Sequence, residues 1–200
     1  MRTVLLDYYI DELTRLFGKP LPPAPEEEMR GRFNEKNYRG MMTLIKVCMG
    51  FTAKLKIGWK PPNSIPVEET LSIENLVSTR GVPFERQEFV VFIHRSTVEI
   101  APFEMFATSV ANLLASVLLQ SKKSSLVGDP AASDVAAMYL GFSNLYLKKE
   151  AHTSRRVTPK AGGRVDVDYA ERGTEGAITE AEARYVAARL AERFGEHGAL

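Results

Sequence analysis

Apolar residues recur at every third or fourth position in several segments, which is typical of helices with one buried face. This spacing predicts helices over residues 3–17, 35–49, 102–121 and 130–147. A Thr-x-x-Glu sequence that begins at Thr179 is typical of a capping box, and it predicts a last helix that ends near residue 194. The helix over 102–121 is apolar on more than one face, so we expect it to lie at the centre of the fold.

The apolar period changes to two between residues 51 and 59, which predicts a half-buried strand with lysines on its outer face. Residues 68–77 predict a weaker second strand. The unbroken apolar run FVVFI at 89–93 predicts a central strand that is covered on both sides. Together these elements predict an α+β fold, in which a small sheet packs on the long central helix and further helices surround them.

Two segments interrupt the regular pattern. Residues 18–28 (GKPLPPAPEEE) are rich in proline and acidic, and they predict an extended linker, so that residues 1–28 form an N-terminal helical arm ahead of a domain at 29–200. Residues 148–175 contain almost no large apolar side chains, and 151–164 hold four basic residues and no acidic one. We expect this second segment to be a long, mobile, basic loop of that domain.

The charge and cysteine content exclude several classes of protein. The chain has 26 Lys and Arg against 25 Asp and Glu, a net charge of +1, so no overall positive field favours nucleic acid as a partner. The single cysteine, Cys48, excludes an intrachain disulfide and leaves no cysteine-based zinc site to build. The three histidines, His94, His152 and His197, are far apart in the sequence, which disfavours a histidine-rich metal site.

The N-terminal segment carries Asp7, Asp11 and Glu12 among its apolar residues and therefore lacks the uncharged core of a secretory signal. The longest charge-free stretch, residues 105–121, contains several polar side chains and is shorter than the 20 or so apolar residues that cross a bilayer. We therefore expect a cytoplasmic protein that does not enter a membrane.

Two predicted helices carry a resemblance to a known family. Residues 107–119 read ATSVANLLASVLL after the strand at 89–93, and residues 133–143 read SDVAAMYLGFS. In order and spacing they resemble small bacterial HExxH zinc metallopeptidase-like proteins, the ImmA/IrrE-like minimal zincins, whose helices read roughly ATxxHELAHxLL and xDxxAxxLGFG. The resemblance extends over about residues 33–194 and implies a minimal-zincin-like core. A core helix without peptidase ancestry is the alternative interpretation of 102–121.

The resemblance implies that the catalytic motif of the family has been lost. In HExxH proteins two histidines on one helical face bind zinc, and the glutamate between them acts as general base on zinc-bound water. The best alignment places Ala111 and Ala115 at the histidine positions and Asn112 at the glutamate position. Only Asp134, at the position of the third zinc ligand, persists. A shift by one residue places Asn112 and Ser116 at the histidine positions, which supplies no imidazole either.

These positions predict a pseudoenzyme without metal or other cofactor, which acts as a protein-binding or regulatory module. We expect an empty pocket that faces Asp134. That carboxylate accepts hydrogen bonds from Asn112 or a nearby backbone amide, holds water in the vacated pocket, or lies exposed at the start of its helix. The alternative function is a metal-dependent hydrolase with a relocated site around His94, Asp134 and His152, which Glu104 could join. A regulator that associates with DNA is a third hypothesis, although no DNA-binding module is evident in the sequence.

Overall fold

The computed structural model describes residues 2–60, 71–76, 81–94, 101–148, 154–159, 165–170 and 178–195; for His94 and for the two segments between 154 and 170 it describes the backbone alone. In chain order the regular elements are α1 (Thr3–Phe17), α2 (Glu26–Asn34), α3 (Tyr38–Cys48), β1 (Lys54–Lys60), β2 (Leu71–Asn75), β3 (Glu88–His94), α4 (Phe103–Ser121), α5 (Pro130–Ala137), α6 (Ser143–Lys148), β4 (Ser154–Pro159), β5 (Val165–Ala170) and α7 (Glu180–Phe194). The fold is of the α+β class, as the sequence predicts.

Strands β1, β2 and β3 form a mixed sheet in the order β1–β3–β2. Strand β3 pairs in parallel with β1 and antiparallel with β2, so it occupies the centre, as the FVVFI run predicts. Phe89, Val91 and Ile93 of β3 point into the hydrophobic core and are at most 5% exposed. Val90, on the opposite face, is also buried. Burial on both faces explains why this strand is continuously apolar.

Helix α4 is the central helix of the fold. Most of its residues are buried, and it packs against α3, α5, α6 and the sheet strand β2. It is also a helix long and apolar enough to cross a membrane by length and composition, and 61% of that apolar window lies inside the fold. Such burial is typical of the core helix of a soluble protein.

The N-terminal segment differs from its prediction as an arm followed by a linker. Leu6, Tyr9, Ile10 and Leu13 of α1 are buried in the same core as the rest of the fold, and α1 packs against α5 and α7. Helix α2 begins at Glu26, inside the predicted linker. The periodic pattern of α1 predicts a buried face, but it does not identify the helices that cover it.

The prediction of one helix over 130–147 is wrong in its middle. A π-helical segment, Met138–Phe142, separates α5 from α6, and Gly141 there has a φ of +101°. A Cβ atom at Gly141 would lie 2.5 Å from the carbonyl oxygen of Pro22, so glycine is required for space as well as for conformation. The backbone N–H of Ala24 donates to the Gly141 carbonyl at 2.8 Å, which ties the 18–25 segment to this break.

The predicted loop at 148–175 contains regular structure. Strands β4 and β5 pair antiparallel, from Ser154 opposite Ala170 to Pro159 opposite Val165, and form a sheet separate from the first. The prediction of a structureless loop is therefore wrong for these twelve backbone positions. Helix α7 follows with the expected capping box, in which the Thr179 side chain accepts from the Glu182 N–H.

Candidate functional site

Asp134 lies in the interior of the structure rather than at an exposed helix start. Helix α5 begins after Asp129, whose side chain accepts from the N–H groups of Ala131 and Ala132, and Pro130 occupies the first turn. Asp134 comes one turn later, and it is 3% exposed. The alternative prediction of a solvated carboxylate is therefore wrong. A buried carboxylate is costly unless donors surround it, so its partners decide what it can do.

Among the described residues, three donors from α4, α6 and the segment before α7 contact the Asp134 carboxylate. The Asn112 side-chain amide of α4 and the Tyr146 hydroxyl of α6 each donate to Oδ1 at 2.7 Å. The backbone N–H of Ile178, just before α7, donates to Oδ2 at 3.3 Å. The predicted bonds to Asn112 and to a backbone amide are thus both formed. The carboxylate links α4, α5, α6 and the approach to α7 through donors that carry no formal charge.

Tyr146 is the partner that the sequence did not identify as part of the site. Its aromatic position on the inner side of the predicted helix signals burial but gives no indication of a polar contact. Burial raises the pKa of Tyr146 well above its ordinary value, and the neighbouring Asp134 raises it further. The phenol therefore keeps its proton and acts as a hydrogen-bond donor across the physiological range.

Two serines continue the polar contact between α4 and α5. The Ser116 Oγ atom lies 3.0 Å from the Asn112 carbonyl oxygen one turn back and 2.9 Å from Ser133 Oγ, within hydrogen-bond distance of both. Ser133 is 5% exposed and also bonds the Asp129 carbonyl. We call the set formed by Asn112, Ser116, Ser133, Asp134 and Tyr146 the α4–α5 seam. Its hydroxyl and amide groups fix how the two helices face each other.

The remaining two aligned positions have no polar group to contribute. Ala111 and Ala115 are fully buried and belong to the hydrophobic core. Asn112 and Tyr146, in place of the metal that the family would hold there, contact the Asp134 carboxylate directly. The aligned positions lack metal ligands, which suggested a vacated site, but the sequence did not show that neighbouring side chains contact the carboxylate.

The residues of the alternative metal site are not brought together by the described contacts. Glu104 accepts from Arg30 at 2.7 Å, and Arg30 also binds Glu26 at 2.8 Å. His94 ends β3, but only its backbone is described, and His152 lies outside the described residues. Among the residues that the structure describes, no group of three or more His, Cys, Asp or Glu side chains is arranged to hold a metal.

A second polar region joins the two ends of the chain. Arg2 binds Glu182 through two side-chain contacts of 3.0 and 3.1 Å, and on the next turns Tyr185 and Arg189 bind Asp7 at 2.8 and 2.9 Å. We call these five residues the α1–α7 interface. The hydrogen bond from Arg2 lowers the pKa of Glu182 to about 2. The capping-box pattern predicts Glu182, but nothing near it in sequence indicates Arg2.

Comparison of the chain with family models, with curated proteins and with solved structures finds no match. The resemblance to minimal zincins therefore depends on the order and spacing of the segments described above. The geometry of the α4–α5 seam is the structural observation that bears on the function of the chain.

Proposed function

We propose that this chain is a catalytically inactive, metallopeptidase-like protein that acts by binding another protein. The observation that carries the proposal is the 2.7 Å hydrogen bond from Asn112, at the glutamate position of the motif, to Asp134, at the third-ligand position. Both oxygens of Asp134 accept hydrogen bonds from the protein, and no group of His, Cys, Asp or Glu side chains among the described residues joins this carboxylate in a metal-binding arrangement. The seam is built as a structural contact between helices.

The chemistry of the aligned positions supports the same proposal. The methyl groups of Ala111 and Ala115 can neither coordinate a metal nor transfer a proton. The Asn112 amide cannot act as a general base, because a neutral amide does not take up a proton near neutral pH. A chain that keeps the helices of such a scaffold and fills its catalytic positions with packing residues is best explained as a binding module.

The hydrolase with a relocated site has less support. It would place a metal at Asp134, which already accepts three hydrogen bonds from described residues, and Glu104, which could join the site, is paired with Arg30. Nucleic acid also has less support as a partner, because the net charge of +1 supplies no strong attraction for phosphate. We expect the partner to be a protein and the compartment to be the cytoplasm.

Elemental analysis of the full chain tests this proposal. The purified protein is incubated with zinc, dialysed and assayed both for bound metal and for cleavage of an unstructured protein with and without chelator. We expect no stoichiometric zinc and no chelator-sensitive cleavage, for the chain itself and equally for Asp134→Asn. Stoichiometric zinc that Asp134→Asn removes, together with chelator-sensitive cleavage, would contradict the proposal. If His94→Ala removed both zinc and cleavage, the relocated site would be correct instead.

A further inference from the structure

Strand β1 lies at one edge of the sheet, with hydrogen-bonding groups directed away from β3. The Lys54 N–H donates to the Gln87 carbonyl, at the start of β3, at 2.9 Å. Since successive residues of a strand direct their N–H and C=O groups to opposite sides, those of Leu55, Ile57 and Trp59 point away from β3. Within the part of the chain that the structure describes, no strand pairs with this side of β1. The edge can therefore accept an additional strand.

The side chains along this edge are less buried than those at the centre of the sheet. Leu55 and Ile57 are half-buried, whereas Val91 of β3 is fully buried. Trp59 is 47% exposed, and its ring meets the edge of Tyr38 on α3 at a centroid distance of 5.8 Å. Helix α3 packs against β1. Apolar side chains of a strand added beside β1 could therefore pack next to Leu55, Ile57 and Trp59.

The outer face of β1 is basic. Its side chains are Lys54, Lys56 and Lys60, and the strand contains no acidic residue. The Lys56 ammonium is 2.5 Å from Glu88 of β3, and the lysine side chain is still 61% exposed. A neighbouring strand with acidic side chains on this face would find positive charges at alternate positions.

The same lysines disfavour pairing between two copies of the chain. An antiparallel pair of β1 strands centred on Ile57 would bring Lys54 of each copy opposite Lys60 of the other. Like charges directly opposite each other destabilise a strand pair, and lysines on edge strands commonly protect them from self-association. The edge is therefore selective: it resists a second copy and favours an acidic strand.

We propose that the free edge of β1 binds an extended, acidic segment of a partner protein by strand addition. Main-chain bonds to Leu55, Ile57 and Trp59 supply the alignment, and acidic side chains beside Lys54 and Lys56 supply the selectivity. The inference rests on the proposed function, and it names the surface and the chemical class of the partner.

The first experiment uses a fluorescent, end-capped heptapeptide of alternating glutamate and valine, with binding to the full chain measured by fluorescence anisotropy. The matched control peptide has lysine in place of glutamate. We expect the acidic peptide to bind, the basic peptide not to bind, and added salt to weaken the complex, because exposed charges are screened. Failure of the acidic peptide to bind, or equal binding of both peptides, would overturn the inference.

The second experiment separates main-chain pairing from contact with side chains. Ile57→Pro removes an N–H that faces the free edge and leaves the bonds to β3 intact, whereas Ile57→Ala removes the same side chain and keeps the N–H. We expect Ile57→Ala to retain binding and Ile57→Pro to weaken it roughly tenfold or more. Circular dichroism verifies folding, and Leu55→Pro with Leu55→Ala is the second pair if Ile57→Pro unfolds. Equal loss within a folded pair would exclude strand addition.

Reversing the charge tests the selectivity. The double variant Lys54→Glu, Lys56→Glu should bind the basic peptide and lose the acidic one, an outcome that simple destabilisation cannot produce. Sedimentation that reveals a dimer sensitive to Ile57→Pro would instead make the edge a self-association surface and overturn the inference. Stoichiometric zinc with chelator-sensitive cleavage would overturn the proposed function alone, since these edge measurements do not depend on metal.

Discussion

Two regions of this fold each hold a buried carboxylate, and they do so with different chemistry. In the α4–α5 seam, Asp134 accepts from an amide, a phenol and a backbone N–H, none of which carries a formal charge. In the α1–α7 interface, Glu182 is 4% exposed, and it pairs with the cationic side chain of Arg2, which is about half exposed.

The difference between neutral and charged partners determines which of the two contacts responds to salt and pH. Neutral donors inside the core are not screened by salt, and deletion of the acceptor leaves the buried Tyr146 hydroxyl and the buried Ile178 N–H without that bond. An ion pair that reaches the surface is weakened by salt and by protonation of its carboxylate. The seam is therefore a fixed structural element, whereas the contact between the chain ends is adjustable.

The largest effect is expected when the acceptor of the seam is removed. Asp134→Ala removes the acceptor of the buried Tyr146 hydroxyl and of the buried Ile178 N–H, and each buried donor that loses its bond costs about 1–3 kcal/mol. We expect a loss of about 3–4 kcal/mol in the free energy of unfolding, measured by urea denaturation. The exposed ion-pair residue Glu180 on α7 supplies a control, since Glu180→Ala should cost far less. A loss below that of the control would show that the seam carries little stability.

One substitution made in both regions compares them directly. Tyr146 and Tyr185 each donate a hydroxyl to an aspartate, at 2.7 Å in the seam and at 2.8 Å in the α1–α7 interface. Tyr146→Phe leaves the buried Asp134 with one donor fewer and should cost about 1–2 kcal/mol, whereas Tyr185→Phe should cost a few tenths, roughly, because water can replace the bond to the partly exposed Asp7. Urea denaturation of both variants measures the two costs, and equal values would remove the distinction between the regions.

The sequence predicts the parts of these regions that depend on local pattern. Helices α1 and α4 lie almost where the apolar period places them, and the Thr179 capping box is present. The bond between Asn112 and Asp134 could be expected because both positions are aligned in the resemblance and lie on neighbouring helices. The helices and the cap could be predicted because a helix period and a capping box each depend on residues close together in the sequence.

The parts that the sequence did not predict depend on residues far apart in the chain. In the sequence, Gly141 looks like a glycine that a helix tolerates. The structure shows the break there, where the carbonyl oxygen of Pro22 leaves no room for a side chain. The burial of α1 depends in the same way on α5 and α7, and the contact of Arg2 with Glu182 joins opposite ends of the chain. Local sequence propensities do not predict which surfaces of the helices pack against each other.

An effect smaller than those of Asp134→Ala and Tyr146→Phe, and one that depends on pH, is expected at Glu182. The Arg2 hydrogen bond lowers the pKa of this carboxyl from 4.5 to about 2, so the contact contributes stability above pH 4.5 and loses it as the pH falls towards 2. Glu182→Gln should therefore cost about 1 kcal/mol near pH 7, a modest value because Arg2 is 47% exposed. The gap between the two proteins should narrow steadily between pH 5 and pH 2.

Chemical denaturation at a series of pH values measures that gap, and Glu180→Gln on the same helix is the matched control. Its carboxylate is 52% exposed and pairs with Arg184 one turn along α7, so that variant should differ little from the parent at any pH. High salt should shrink the Glu182→Gln gap at pH 7 and leave the Tyr146→Phe cost unchanged, because only the ion pair is open to screening. If salt reduced both costs equally, the seam would be as accessible to solvent as the interface, and the division into a fixed and an adjustable contact would be wrong.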